Sequence, residues 1–376
     1  MTRLSRMWGT PPWQADALRI EPPRPIEQSN AEAAEAVIVG GGFTGLSAAY
    51  HLAKRGIDVA LLEAETFGAG ASGRTGGLVL EGTAEGIRPE AGDCVPFLRR
   101  LATEERLDCG LELPGCWLIN HGDDGGTALP WHDDNRMIRV AETVIGGVVN
   151  PLALVRSLAR IAARAGARLY ENASVSKITA EPLTVAMDGI TLKPRKLIVA
   201  ANAWLGALLP QLRIGIRSCL TFAATTAPLS EAVRIAIGVS GGHPFYTIDQ
   251  PYLWGRPLYD GGLLIGGGLV FGAPERLEAI GTNDSEVRAV FERIERRVRA
   301  LNPALADVTI AARWGGPIAI TSDYLPLIGP LPENPNVIVA GGFTGHGVAL
   351  GVRAGAMLAD AIVDGKPLPS WASPAR

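Results

Sequence analysis

The run Val37-Ile38-Val39-Gly40-Gly41-Gly42-Phe43-Thr44-Gly45 sets Gly40, Gly42 and Gly45 in the G-x-G-x-x-G spacing, after an apolar stretch and ahead of a helical one. That spacing suits a dinucleotide. One glycine permits a tight turn, the next lets a pyrophosphate approach bare backbone, and the third lets helix and strand pack closely. The phosphates then rest on a helix N-terminus, where unpaired N–H groups and the dipole favour an anion without a cationic side chain. Glu63 ends the apolar run Val59-Ala60-Leu61-Leu62 and lies 63 − 45 = 18 residues past the last of these glycines. A carboxylate there accepts both hydroxyls of an adenosine ribose and repels a 2′-phosphate. The elements that must hold these groups are a strand, a turn, a helix to about Arg55 and a second strand, and the apolar pattern provides each of them.

Near the other end, Asn336-Val337-Ile338-Val339-Ala340 runs into Gly341-Gly342-Phe343-Thr344-Gly345-His346-Gly347-Val348 and then a helix through Ala361. This repeats the strand, glycine turn and helix of the first fingerprint. Two such turns facing one sheet imply a ligand longer than an adenosine diphosphate. A third glycine-rich segment, Phe67 to Gly77, contains Ser72, Gly76 and a single cation, Arg74. It fits close approach of a flat ring or phosphate, and equally an ordinary flexible loop. In Tyr252 to Leu258 a period of two puts Tyr252, Trp254 and Arg256 on one strand face. Two rings and a guanidinium there suit a substrate carboxylate shielded from water, or an amphipathic outer face.

With 376 residues, 47% hydrophobic and 19% charged, the chain has material for two domains sharing a large core. A net charge of −3 offers no broad basic field, so nucleic acid and anionic membrane are excluded as default partners. The start lacks the apolar core of a secretory signal, and the uncharged stretch Ala36 to Ala53 fits the fingerprint better than a membrane span. The expectation is a soluble, cytoplasmic protein. Cys94, Cys109, Cys116 and Cys219 show neither C-x-x-C nor histidines at metal spacing, which reads as free thiols and no metal site.

Residues 1–35, rich in proline and charge around Glu21-Pro22-Pro23-Arg24-Pro25, read as an extended arm, pinned if Trp8 and Trp13 find a groove. Helices are expected at Val95 to Leu107, at Leu152 to Ala165 behind an Asn150-Pro151 cap, and at Asn283 to Asn302. Strands are expected at Ala167 to Tyr170, Ala173 to Val175 and Leu197 to Trp204, with hairpins between about Leu220 and Val270.

In this order, the segments resemble the FAD-dependent oxidoreductases of the D-amino-acid oxidase, glycine oxidase and sarcosine oxidase superfamily. The branch containing γ-glutamylputrescine oxidoreductases is most similar. The resemblance runs from about Ala36 to Val363 and includes Gly70 to Gly77, Asn150-Pro151, the small-residue strand end before Trp204, Trp314-Gly315-Gly316, Thr321-Ser322-Asp323 and Pro326 to Gly329. It implies an α/β fold with a discontinuous Rossmann-like FAD-binding domain over 36–91, 146–216 and 309–376. A substrate domain with an antiparallel sheet and helices then spans 92–145 and 217–308. Further, it implies that Gly40, Gly42, Phe43, Thr44 and Gly45 meet the FAD pyrophosphate, Glu63 the ribose and Val175 the adenine. Ser72, Arg74 and Gly76 fall near phosphates and flavin, and Gly342, Thr344, Gly345, His346 and Gly347 along the isoalloxazine.

Three departures qualify the likeness. The stretch Gly315 to Ile320 lacks the cysteine that carries covalent flavin, so FAD is expected to be non-covalent. No lysine occurs between Lys196 and Lys366, where some relatives keep one for oxygen, leaving the acceptor as O2 or an unknown carrier. Glu65 replaces a basic residue and reads as a surface difference. The implied reaction takes hydride from the carbon beside an amine nitrogen to flavin N5, giving an imine that hydrolyses, with no obligatory protein base. Arg256, Tyr252, Trp254, Tyr246 and Trp314 are the substrate-side candidates. Arg256→Ala is expected to weaken acidic substrates by about 2–5 kcal/mol. A nicotinamide-dependent dehydrogenase and a flavin-carrying subunit of a larger dehydrogenase stand as alternatives.

Overall fold

A computed structural model describes residues 3–14, 34–122, 125–187 and 189–376. Its first layer is a six-stranded sheet in the order Leu327–Pro330, Val337–Gly341, Lys196–Val199, Ala36–Val39, Val59–Leu62 and Arg168–Tyr170. All neighbours are parallel except the Leu327–Pro330 edge strand. The Ala36–Val39 and Val59–Leu62 strands are buried throughout, as unbroken Val, Ile, Leu and Ala runs covered on both faces must be.

The helices that follow the two glycine turns, Phe43–Ala53 and Ala349–Asp364, lie side by side on one face of this sheet. Small residues let their backbones touch. A methyl on Gly355 would lie 2.6 Å from the Ala48 nitrogen and the Thr44 oxygen, and Ser47 Oγ donates to the Val352 carbonyl at 2.6 Å. Close packing of the two helices brings the two turns together. The Pro151–Arg164 helix joins the same core, and its cap is the expected one, Asn150 Oδ1 accepting from the Ala153 N–H at 3.1 Å.

The second layer is an eight-stranded sheet: Ile310–Thr321, Ile216–Thr226, Leu263–Phe271, Trp254–Pro257, Phe245–Thr247, Cys116–His121, Arg136–Val144 and Thr127–Asp133. It is antiparallel apart from one parallel pair, Phe245–Thr247 with Cys116–His121. The Ser285–Leu301 helix buries Val287, Val290, Phe291, Ile294, Val298 and Leu301 against it, which is the face its periodicity marks.

Three sequence expectations change. The Ile310–Thr321 strand pairs along its length with Ile216–Thr226, so a division at 309 would assign it to the wrong sheet. Ala173 to Val175 form no strand: the chain turns at Asn172, whose φ is +55°, and the Asn172 and Ala173 N–H groups donate to the Glu65 and Glu63 carbonyls at 2.8 Å. The N-terminal arm is not extended where it is described. Arg3–Trp8 is a helix and Pro12–Gln14 a 3-10 turn, while Glu21 to Pro25 lies outside the described residues.

Trp8 and Trp13 do find grooves. Trp8 Nε1 donates to the Leu277 and Ile280 carbonyls, each at 3.1 Å, and Trp13 Nε1 to the Gly73 carbonyl at 2.8 Å. All four cysteines are free and buried. No helix of the described residues is long and apolar enough to cross a membrane.

Candidate active site

Between the layers lies a cavity of about 1230 Å³, and both glycine turns open onto it. At the first, Gly42, Phe43 and Thr44 form the wall. The Phe43 N–H donates to Ser72 Oγ at 3.0 Å, whereas the N–H groups of Thr44 and Gly45 have no acceptor among the described residues. Gly40 and Gly45 stand behind the wall and shape the turn. Gly40 has φ +110°, and a methyl on Gly45 would lie 2.0 Å from the Gly40 oxygen. Glu63 accepts from the Gly41 N–H at 2.7 Å and the Glu65 N–H at 3.0 Å, which fixes its carboxylate at the strand end. Burial pushes that carboxyl upward, and the two N–H donors pull it back.

At the second turn, Thr344, Gly345, His346 and Gly347 line the cavity. Left-handed backbone at Gly342, Thr344 and Gly345, with φ of +72°, +50° and +82°, folds this segment back on itself. Asn202 Oδ1 accepts from the Gly342 N–H at 3.0 Å and Ala319 O from the Thr344 N–H at 3.1 Å, while the Gly345 and Gly347 N–H groups have no acceptor among the described residues. Burial holds the His346 imidazole below its ordinary pKa, so the ring is neutral at neutral pH. The Tyr246 ring meets it edge-on, centroids 5.9 Å apart.

Of the substrate-side candidates, Tyr246, Tyr252, Trp254 and Trp314 line the cavity. Trp254 sits in a slot between two glycines: methyls on Gly76 and Gly266 would come within 2.3 and 2.1 Å of its indole. Trp314 is buried and spends its indole N–H on the Arg74 carbonyl at 2.8 Å. Arg256 is outside the cavity lining and is corrected as a carboxylate clamp. It is 2% exposed, its guanidinium lies 5.8 Å from the Trp13 ring, and Gly77 covers it. Its neighbour on the same strand face, Trp254, reaches the cavity in its place.

Arg74 borders the cavity, yet its guanidinium is committed to main-chain oxygens. Nε donates to Gly315 at 2.6 Å, and Nη2 to Trp8 and Gly9 at 3.1 and 2.5 Å. Val175 does not line the cavity; it packs against the core that holds Val37 and Tyr170. Glu65, read as a surface difference, accepts from Arg3 Nε at 3.2 Å and so anchors the N-terminal helix. Sequence reading also missed a chain of contacts at the cavity mouth. His121 Nδ1 and Nε2 lie 2.8 and 2.9 Å from Asp249 and Asp133, and Arg297 Nε donates to Asp133 at 2.9 Å and Nη1 to the Tyr252 carbonyl at 2.8 Å. These partners come from four distant segments, with no local signal to join them.

Unpaired amides at both turns, glycines where any side chain would intrude, and one continuous cavity fit an extended dinucleotide with an anionic centre. A two-layer fold with such a cavity defines a dinucleotide-binding protein. The family model described as "DAO: FAD dependent oxidoreductase" matches residues 35–361, and the chain belongs to this family. Its cofactor is therefore FAD. "Gamma-glutamylputrescine oxidoreductase" of Escherichia coli (strain K12) is 29% identical, over 86% of this chain and 82% of that protein. "Probable oxidoreductase OrdL" of Rhizobium meliloti (strain 1021) is 28% identical, over 93% and 87%. Glycine oxidase from Geobacillus kaustophilus shares the fold, with a TM-score of 0.71 at 23% identity over 90% of this chain and 98% of that one.

Proposed function

We propose that this chain oxidises the carbon–nitrogen bond of an amine, releasing an imine that hydrolyses in water. Bound FAD supplies the hydride acceptor. With FAD bound, the amides of Thr44 and Gly45 would hold the pyrophosphate, and those of Gly345 and Gly347 would serve as donors toward negative charge developing on the ring system. Tyr246, Trp254 and Trp314 wall the reacting carbon from water and fix its orientation. The neutral His346 and the committed Arg74 place neither a base nor a free cation beside the amine. An ammonium there has no counter-ion, so the site favours the unprotonated amine, whose lone pair assists loss of hydride.

The observation that carries this reading is the meeting of both glycine turns on one aromatic-walled cavity. The relatives named for γ-glutamylputrescine and glycine support an amine or amino acid as substrate. None of the four cysteines lines the cavity, in keeping with non-covalent FAD, and their free state fits a cytoplasmic setting. The test is an anaerobic screen of amines, amino acids and polyamine derivatives for bleaching of the bound flavin. Readmission of air then separates O2 from another carrier as acceptor. A flavin that no amine bleaches would sink the reading.

A further inference from the structure

We infer that the substrate is an amine whose negative charge sits at the end remote from the reacting carbon, and that Arg217, Arg293 and Arg296 recognise it. The inference rests on the carbon–nitrogen oxidation proposed above and concerns the distribution of cations around that same cavity.

The buried part of the lining contains Trp314, Ala223 and Gly316, and its one arginine among the described residues, Arg74, spends its Nε and Nη2 donors on carbonyl oxygens. The carboxylate of a short α-amino acid is one bond from the reacting carbon. It would be buried there without a charged donor, which is costly. Arg256, the other buried guanidinium of this region, is covered by Gly77 and Trp13 and cannot supply one.

The exposed part differs. Arg217, Arg293 and Arg296 are exposed and line the same cavity. Arg293 and Arg296 are three residues apart on the Ser285–Leu301 helix, a spacing that sets them on one face. Arg217 lies over the Phe271 ring at 4.3 Å. None of the three has an ion-pair or hydrogen-bond partner among the described residues. Of the acids in the lining, Asp133 is paired with Arg297 and hydrogen-bonded to His121, Asp249 is hydrogen-bonded to His121, and Asp134 has no side-chain partner among the described residues. With Arg297 paired to Asp133, Arg217, Arg293 and Arg296 stand against Asp134 and Asp249, which leaves this rim with a positive balance in a chain of net charge −3. A chain long enough to join the two parts places its amine among the rings and its carboxylate among the arginines.

The test uses the FAD-loaded protein and three probes: 6-aminohexanoate, hexylamine and glycine. Anaerobic flavin reduction by 6-aminohexanoate should be favoured over both others. In the variant carrying Arg217→Gln, Arg293→Gln and Arg296→Gln, its preference over hexylamine should fall about tenfold, as should the wild-type preference in high salt. Hexanoate, which cannot be oxidised, gives an equilibrium readout, and its calorimetric Kd should rise by a similar factor in the triple variant. Faster reduction by glycine, or a preference unchanged by the three substitutions, would overturn the inference while leaving amine oxidation standing. Reduction by none of the probes or of the wider amine screen removes the oxidation reading, and this one with it.

Discussion

Nη2 of Arg74 donates to the main-chain oxygen of Trp8 at 3.1 Å, tying the glycine-rich turn beside the nucleotide sheet to the first helix of the chain. Together with the bonds to Gly315 and Gly9, this makes one buried guanidinium the clasp of three segments. Burial lowers its pKa to about 10, still cationic at neutral pH. Arg74→Met should leave these carbonyls unpaired and cost about 2–4 kcal/mol of stability in urea unfolding. Because the same turn presents Ser72 to the Phe43 N–H, FAD affinity should weaken as well. Lysine, with its charge kept but its fork lost, should fall between. A wild-type urea midpoint in Arg74→Met would show that the clasp carries no load.

The Gly45 position offers a sharper perturbation of the cofactor turn. A methyl there meets the Gly40 oxygen at 2.0 Å, backbone against backbone, with no flexible group to yield. The helix must move off its strand, and the amides of Thr44 and Gly45 move with it. Gly45→Ala should therefore purify with little or no visible flavin absorbance and a weakened response to added FAD. The control is Gly189→Ala, which meets nothing within 4 Å, although its φ of +80° leaves a local strain. It should stay yellow. Equal flavin content in the two variants would count against the packing argument.

How much of this was legible in the sequence follows from the range of each interaction. The shape of the two glycine turns and the place of Glu63 at a strand end were readable because they follow from main-chain geometry at fixed local spacing, and the Asn150 cap for the same reason. Arg256 misled because a period of two tells which residues share a strand face and nothing about what covers that face. Gly77 and Trp13, 256 − 77 = 179 and 256 − 13 = 243 residues away, do the covering. Glu65 and the His121, Asp133 and Arg297 contacts were invisible because each joins segments that only the folded topology brings together.

Arg256 now carries a different expectation from the one its sequence suggested. Its Nε and Nη1 atoms have no hydrogen-bond partner among the described residues, burial lowers its pKa to about 10 against the weaker pull of Tyr259 and Glu112, and the Trp13 ring stands 5.8 Å away. A buried cation so weakly paired contributes little stability, and apolar replacements of similar volume are often neutral or better. Arg256→Met should hold stability within about 1 kcal/mol of wild type or raise it. The KM for acidic amines should change far less than the 2–5 kcal/mol that loss of a buried carboxylate partner implies. A large, selective rise in KM for acidic substrates would return this residue to the substrate site.

Acid stability should depend on His51. Its ring centroid stands 4.7 Å from that of Tyr50 and 5.8 Å from that of Phe97, with Nε2 unpartnered among the described residues. Burial first, then the charges of Arg55 and Lys54, hold its pKa down to about 4. In the unfolded chain a histidine titrates near 6.5, so between those values the unfolded state takes up a proton that the native state refuses. Stability therefore rises with pH through this window. Its contribution is whole above about pH 6.5 and is lost as pH falls toward 4, by up to about 3 kcal/mol before solvent screening is discounted. His346, lowered in the same direction, adds to the trend, whereas Asp323, held at about 2 by Arg376, acts at lower pH. Urea unfolding of wild type and His51→Gln across the window cancels the carboxylates common to both. The variant should give the flatter curve, and parallel curves would mean that the native ring protonates as readily as a free one.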